Sequence, residues 1–150
     1  MACELSVTGY RRRFIKLMRS LSQHEVVNYA EEIAGESSEL RILMSVYDAD
    51  VCVTHSDEHP TNVVMEFEFG LLPGGPARSD ALLQLLELNG VLDQRGGTGF
   101  GVDADGSTVI FRESVCLAKT DRDSMLTLLR ARGDQSAIWF QAWRSDKRTV

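Results

Sequence analysis

Two histidines, His55 and His59, have the spacing that comes closest to metal chemistry in this sequence. On a helix, a separation of four residues places two imidazoles on one face, where both can bind one ion. Here Pro60 follows directly and strand-like residues flank the pair, which indicates the tip of a hairpin. Because the two rings do not converge at such a tip, we expect a solvated loop and no metal site.

Two further segments resemble ligand loops without completing either pattern. Residues 103–106 read Asp-Ala-Asp-Gly, but a calcium loop needs Gly at its sixth position and Glu at its twelfth, where this chain has Thr108 and Ser114. Residues 96–101 are rich in glycine, but a phosphate loop leads directly into a helix, and here a strand pattern follows. A β-turn and a strand bend are the better interpretations, and an anion-binding module is the weakest hypothesis. No cofactor is predicted.

Three cysteines, Cys3, Cys52 and Cys116, are scattered without a CxxC or Cys/His spacing. Neither a disulfide framework nor a zinc site is indicated, so free thiols in a reducing compartment are expected. Cys52 and Cys116 lie in strand patterns, where small core residues are more common than nucleophiles. With no residues arranged for catalysis, the sequence predicts a protein that is not an enzyme.

Positive charge is concentrated in Arg11, Arg12, Arg13, Lys16 and Arg19. The favoured interpretation is the solvated face of a helix, and the alternative is a docking site for an acidic partner. The whole chain carries a net charge of −6 with a pI of about 5.0. This balance argues against binding of nucleic acid.

The length of 150 residues predicts one domain covering 1–150, with flexible ends at 1–8 and 145–150. The first residues lack the pattern of a signal peptide, and the apolar runs are too short to cross a membrane. We expect a cytoplasmic protein.

The first helix is predicted from Tyr10 by an apolar stripe at helical spacing. The stripe consists of Tyr10, Phe14, Leu17, Met18 and Leu21. Residues 26–34 could continue as helix, and residues 35–38 break it.

Three strands are predicted at residues 40–47, 51–55 and 62–69. The last alternates cleanly, with Val63, Met65, Phe67 and Phe69 on one face. This alternation is typical of a sheet with one buried face, and the short intervening turns favour an antiparallel meander.

A second helix follows the stop at residues 73–76, with Ser79 as its N-cap and Gly90 at its end. Its leucines cover more than one face, so part of its surface should be covered by another subunit. A hairpin around the Asp-Gly turn joins residues 99–102 to 108–117. Thr120 is then expected to cap a last helix, with a kink or a break at Gly133.

The resulting order, α-β-β-β-α-β-β-α, predicts an α+β fold in which helices pack on a twisted antiparallel sheet. This order resembles the class I chaperones of bacterial type III secretion, the CesT-type or Tir-chaperone family. The resemblance covers residues 9–144. The local matches are residues 67–73, 82–89, 99–103 and 138–140.

The resemblance implies a bacterial cytoplasmic homodimer that binds the unfolded N-terminal segment of a secreted effector, without a cofactor, nucleic acid or membrane. It also allows for contact with the secretion ATPase. By analogy, the first helix and the three-stranded sheet supply the effector-binding residues Phe14, Leu17, Leu21, Ile42, Val53, Met65 and Phe67. The second helix and the strand after it supply the dimer residues Leu82, Leu86, Asn89, Phe100 and Val102.

An alternative keeps the fold and changes the function. A YbjN-like regulatory protein has the same chaperone-like architecture and does not bind effectors. The identity of the adjacent gene would separate the two hypotheses.

Overall fold

Three α-helices and six strands make up the part of the chain that the structure describes. The computed structural model describes residues 6–47, 49–92 and 98–146, and between 136 and 146 it describes the side chain of Ile138 alone. In chain order the elements are α1 (Val7–Ser22), β1 (Val27–Ile33), β2 (Glu39–Val46), β3 (Ala49–Ser56), β4 (Asn62–Leu71), α2 (Pro76–Val91), β5 (Gly99–Val102), β6 (Thr108–Cys116) and α3 (Arg122–Asp146). A short 3-10 helix, Leu117–Lys119, links β6 to α3.

All six strands form one antiparallel sheet in the order β1-β2-β3-β4-β6-β5. The first four strands are joined by consecutive hairpins, which confirms the predicted meander. The pairing of β4 with β6 shifts register between Glu68 and Gly70. Gly70 has a φ of 122°, a conformation that glycine adopts without steric cost. The two edges of the sheet are β1 and β5.

The core lies between α1, α3 and one face of the sheet. Every second residue is buried in β3 from Val51 to His55 and in β4 from Val63 to Phe69. The largest fully buried side chains include Phe14 and Leu21 from α1, Phe67 from β4 and Met125 and Leu129 from α3. The alternation seen in the sequence therefore does mark the buried face of the sheet.

The α+β class is confirmed, and the predicted elements occur in the predicted order. The expectation that residues 26–34 continue the first helix is wrong, because Val27–Ile33 forms the edge strand β1. A turn separates the two elements, since Val27 N donates to the carbonyl of His24 at 3.1 Å. Five of the seven residues of β1 are exposed, so the strand has no apolar alternation that a sequence could reveal.

The second helix begins and ends at residues other than those expected. It starts at Pro76, directly after Gly75 with a φ of 63°, so Ser79 lies inside the helix and is not its cap. Pro is well suited to the first helical position because its missing N–H would have no partner there. The helix then continues through Gly90 to Val91.

The last helix is capped by Asp121 and not by Thr120. The Asp121 carboxylate accepts from Ser124 N at 2.8 Å, and Asp121 N donates to Ser124 Oγ at 3.0 Å. This reciprocal pair satisfies donors that a helix start leaves open, and the bonds from Ser124 lower the pKa of Asp121. The helix runs through Gly133 without a break.

The hairpin between β5 and β6 turns at residues 103–106, as the Asp-Gly pair predicts. Gly106 N donates to the carbonyl of Asp103 at 2.9 Å, and Gly106 has a φ of 71°. The Asp103 carboxylate accepts from the backbone N–H groups of Ser107 and Thr108. The bond from Thr108 is the largest cause that lowers the pKa of Asp103. This carboxylate therefore holds the turn.

Candidate binding surfaces

An apolar cavity of about 430 Å³ opens between α1, β1 and β2. Ile15 and Met18 of α1 form one wall, and Leu40 and Ile42 of β2 form the floor. Ala30 on β1 completes the apolar lining. Charged residues lie at its margin, with Arg19 on α1 and Glu31 and Glu32 on β1.

The cavity exists because β1 places small or charged residues where it faces the helix. Ala30 is paired with the buried Met44, and Glu32 is paired with Ile42. A large apolar residue at either β1 position would pack against α1 and fill this space. The chain instead leaves apolar surface of α1 and β2 uncovered beside the edge strand, as in a groove that accepts side chains from elsewhere.

The edge strand β1 is itself accessible. Residues 28–32 are all exposed, and only one side of the strand pairs, with β2. The neighbouring Glu31 carboxylate is the main cause that raises the pKa of Tyr29, because it favours the protonated phenol. An edge strand of this kind can hydrogen-bond to the main chain of another segment.

Most of the residues predicted to bind the effector lie in the core instead. Phe14, Leu21, Val53 and Met65 have no exposed surface, Phe67 is 2% exposed, and Leu17 is also buried. In this conformation their side chains are not accessible to a partner. Ile42 alone among the seven reaches the cavity. Periodicity identified the correct face of α1 and of the sheet, but that face is covered by the helices of the same chain.

The predicted dimer residues lie on α2 and β5, and they differ in how exposed they are. Leu86 is 67% exposed, whereas Leu82, Phe100 and Val102 are half-buried. Asn89 has a role within the chain, because its side-chain amide bonds to both backbone groups of Phe100. Its polar group is therefore engaged in holding α2 to β5.

A patch of exposed apolar side chains covers the outer side of α2. We call it the leucine patch; it consists of Leu83, Leu86, Leu88 and Val91. Only Ala81 and Leu85 of α2 are buried. The helix thus has more apolar surface than its own chain covers, and exposed patches of this kind mark interaction sites.

Arg11 anchors α1 to the β3–β4 hairpin, a role that the sequence did not reveal. Its Nε donates to His55 Nδ1 at 2.8 Å, and its Nη2 donates to the carbonyl of Ser38 and to the Asp57 carboxylate, both at 2.9 Å. The expectation of a solvated arginine face is therefore wrong for Arg11. It holds for Arg12, which is exposed.

His55 is fully buried in β3 and is not part of a solvated loop, whereas His59 is exposed. The ring of His55 stacks on Phe14 with centroids 5.2 Å apart. Its Nε2 lies 2.9 Å from the Pro60 carbonyl, which can only accept, so Nε2 carries the proton and Nδ1 accepts from Arg11. Burial, followed by the charge of Arg11, lowers the pKa of His55. Both ring nitrogens are engaged and unavailable to a metal.

Other polar groups are used to position α3. The Arg132 guanidinium donates to both oxygens of Glu113, at 2.6 Å and 2.9 Å, and lies over the ring of Phe111. The bond to Glu113 raises the pKa of Arg132. Within residues 6–47, 49–92 and 98–146, no group of three or more His, Cys, Asp or Glu could hold a metal ion. None of the helices in those ranges is both long and apolar enough to cross a membrane.

Comparison with known proteins gives structural similarity only. A scan against protein-family models finds no match, and a search of curated proteins finds none. Among solved structures, the fold is similar to the type III secretion chaperone SycH of Yersinia pestis, in complex with a stable fragment of YscM2. The TM-score is 0.55 at 15% identity, and the match covers 87% of this chain and 98% of that chain.

A chain of the HopA1–SchA chaperone–effector complex is also similar, with a TM-score of 0.42 and 17% identity. That match covers 95% of this chain and 98% of the other. The six-stranded sheet and its helices, as matched to SycH, give this chain the fold of a type III secretion chaperone.

Proposed function

We propose that this protein is a class I type III secretion chaperone, which binds the N-terminal region of a secreted effector and keeps it soluble in the bacterial cytoplasm. The observation that carries the proposal is the apolar cavity beside the accessible strand β1. Main-chain hydrogen bonds to an edge strand give affinity for any extended chain, and an apolar pocket fixes its register. Such a site can hold an unfolded segment without catalysis.

Co-expression with the product of the adjacent gene tests this function. We expect a soluble complex in which two copies of this chain hold one effector, measured by size-exclusion chromatography with light scattering. Removal of the N-terminal region of the effector should abolish the complex. An effector that stays bound without that region would contradict the proposal, as would a chain that never retains one.

Replacing Ala30 with leucine should block the cavity. The added side chain enters space that the bound segment would occupy, and overpacking of an occupied site costs about 1–3 kcal/mol. We expect effector affinity to fall about tenfold or more in a titration, while the melting temperature changes little because Ala30 is exposed. Ala131→Leu, at an exposed position of α3, is the matched control. Equal affinities of the two variants would place the effector elsewhere.

We further propose that the leucine patch forms the interface of a homodimer. Leu86 and its exposed neighbours would bury each other across a two-fold axis, since such an interface uses the same patch twice. Leu82, Phe100 and Val102 would contribute from the half-buried margin. Asn89 would support this interface from within the chain by fixing α2 against β5.

Leu86→Asp should dissociate this dimer. A carboxylate would enter an apolar contact without a partner, which weakens self-association by on the order of a hundredfold. Sedimentation should show a monomer at concentrations where the wild type is dimeric. Ala131→Asp adds the same charge at an exposed position of another helix, α3, and should leave the dimer intact. An intact Leu86→Asp dimer would refute the interface.

A further inference from the structure

We propose that β1 takes up an extended segment in which basic side chains flank an apolar anchor. This inference rests on the proposed function and deepens it, because it assigns a chemistry to the bound segment. It depends on three features of the described residues: which edge of the sheet is open, where the cavity lies, and how charge is distributed around both.

The opposite edge of the sheet is closed by a side chain. Asn89 Nδ2 donates to the carbonyl of Phe100 at 3.0 Å, and its Oδ1 accepts from Phe100 N at 2.7 Å. The amide thus occupies the main-chain groups that an added strand would need. Gly99 permits this approach, since a Cβ at that position would lie 3.0 Å from Asn89 Oδ1. Because β5 has only four residues, this one bridge leaves little edge for another strand.

The edge of β1 is longer and accessible, and its register fixes where partner side chains would point. Ala30 and Glu32 lie on the face that carries Met44 and Ile42, which is the face of α1 and the cavity. Glu31 lies on the opposite face, paired with Leu43. A strand added beside β1 would alternate in the same way, so one of its side chains enters the cavity and its neighbours pass close to Glu31.

The charged side chains of β1 itself are all acidic, and the nearest basic side chains belong to its neighbours, Arg19 on α1 and Arg41 on β2, which is paired with Ile33. Residues 20–40 contain five glutamates and no aspartate, lysine or arginine, a sum of −5. Glu32 is exposed on the cavity face of β1, and Glu31 is exposed on the opposite face. Among the described residues Glu32 has no ion-pair partner. A strand carrying lysine or arginine would pair with these carboxylates, and an acidic strand would be repelled.

Arg19 is the one basic side chain that lines the cavity, and it belongs to the opposite wall. All the charged residues of α1 are basic, so the helix side repels cations while the strand side attracts them. The basic groups of a bound segment are therefore favoured on the face that carries Glu31, and the apolar anchor lies on the cavity face, beside α1. This separation gives the segment a preferred orientation about its own axis.

Three fluorescent synthetic peptides test the inference by anisotropy. Each alternates valine with a second residue, which is lysine, glutamine or glutamate. We expect the lysine peptide to bind tightest and the glutamate peptide weakest, with the difference shrinking at high salt. The variant Glu31→Lys/Glu32→Lys should weaken the lysine peptide by on the order of tenfold and strengthen the glutamate peptide. Glu58→Lys/Asp134→Lys has the same net charge at exposed sites elsewhere and should keep the wild-type order.

Hydrogen exchange locates the bound peptide. Protection of residues 27–33 in the complex supports the inference, and protection confined to β5 overturns it. Equal binding of the three peptides, or an identical response of the two double variants, also overturns it. If an effector is retained on co-expression while the three peptides bind equally, the charge preference fails and the chaperone function stands. If the peptides bind β1 in the expected order and no effector is retained, the charge preference stands and the chaperone function fails.

Discussion

Replacing Phe67 with alanine is expected to lower the free energy of unfolding by about 3–5 kcal/mol. Phe67 is 2% exposed at the centre of β4, where it is paired with Val51 of β3 and Phe111 of β6. Loss of the ring removes its transfer free energy and leaves a cavity that two neighbouring strands cannot close. Urea denaturation measures the change.

The control for this variant is Leu71→Ala, at the end of the same strand. Leu71 is 70% exposed, so its truncation should change the free energy of unfolding by less than about 0.5 kcal/mol. The comparison also separates two roles for Phe67. A Phe67→Ala protein of normal stability but poor effector binding would return this residue to the binding groove and contradict its place in the core.

The sequence pattern identifies which face of a helix or strand is apolar. It does not determine which segment packs on that face. The sequence pattern predicts the buried face of α1, with Phe14, Leu17 and Leu21, and of β4, with Met65 and Phe67. The structure confirms both faces. Periodicity follows from the turn of a helix and the pleat of a strand, so it is local. Whether such a face meets the same chain or another depends on packing between distant segments. Periodicity therefore cannot separate a core residue from a binding residue, and most residues of this chain that are predicted to bind an effector lie in its core.

The proposed binding surface is not predictable from the sequence because it lacks a strong pattern. The strand β1 reads Val-Asn-Tyr-Ala-Glu-Glu-Ile, with five exposed residues and no alternation. Its strand character comes from pairing with β2, a tertiary effect that overrides local preference. The cavity depends on a small residue, Ala30, which carries no signal of its own. An exposed edge strand and the groove beside it are therefore harder to predict than a core.

The contact between Arg11 and His55 could not be predicted from the sequence either, because 44 residues separate them. In the sequence, Arg11 belongs to a cluster of positive charge and His55 to a turn. The fold places them together at the junction of α1 with the β3–β4 hairpin, where each satisfies a polar group of the other. Protonation of His55 at this junction is expected to have a large effect on the stability of the protein.

Mild acid is expected to destabilise the protein through His55. In the folded state the neutral ring accepts from Arg11 at Nδ1 and donates to Pro60 at Nε2. A second proton would occupy Nδ1, so the bond from Arg11 would be lost and two cations would face each other. The charge of Asp57, which also bonds Arg11, opposes this effect in part.

The direction of the pH dependence follows from the lowered pKa of His55. The unfolded chain has the ordinary histidine pKa of 6.5 and takes up the proton first as the pH falls. The contribution of His55 is therefore complete above pH 6.5 and declines below it, by at most about 1.4 kcal/mol per pH unit for one proton. Asp103 and Asp121 have lowered pKa values and titrate in a more acidic range.

Urea denaturation between about pH 7 and pH 5 measures this decline. His55→Phe can keep the stacking on Phe14 but not the titration. It should start from a lower stability at neutral pH, because Arg11 loses an acceptor, and should then lose much less with acid. His59→Gln removes an exposed histidine and should behave like the wild type. An equal loss in the His55→Phe variant would assign the acid sensitivity to other groups.

Because α1 forms one wall of the cavity, loosening of this junction should also reduce effector binding as the pH falls. The His55→Phe variant should bind the effector with little dependence on pH.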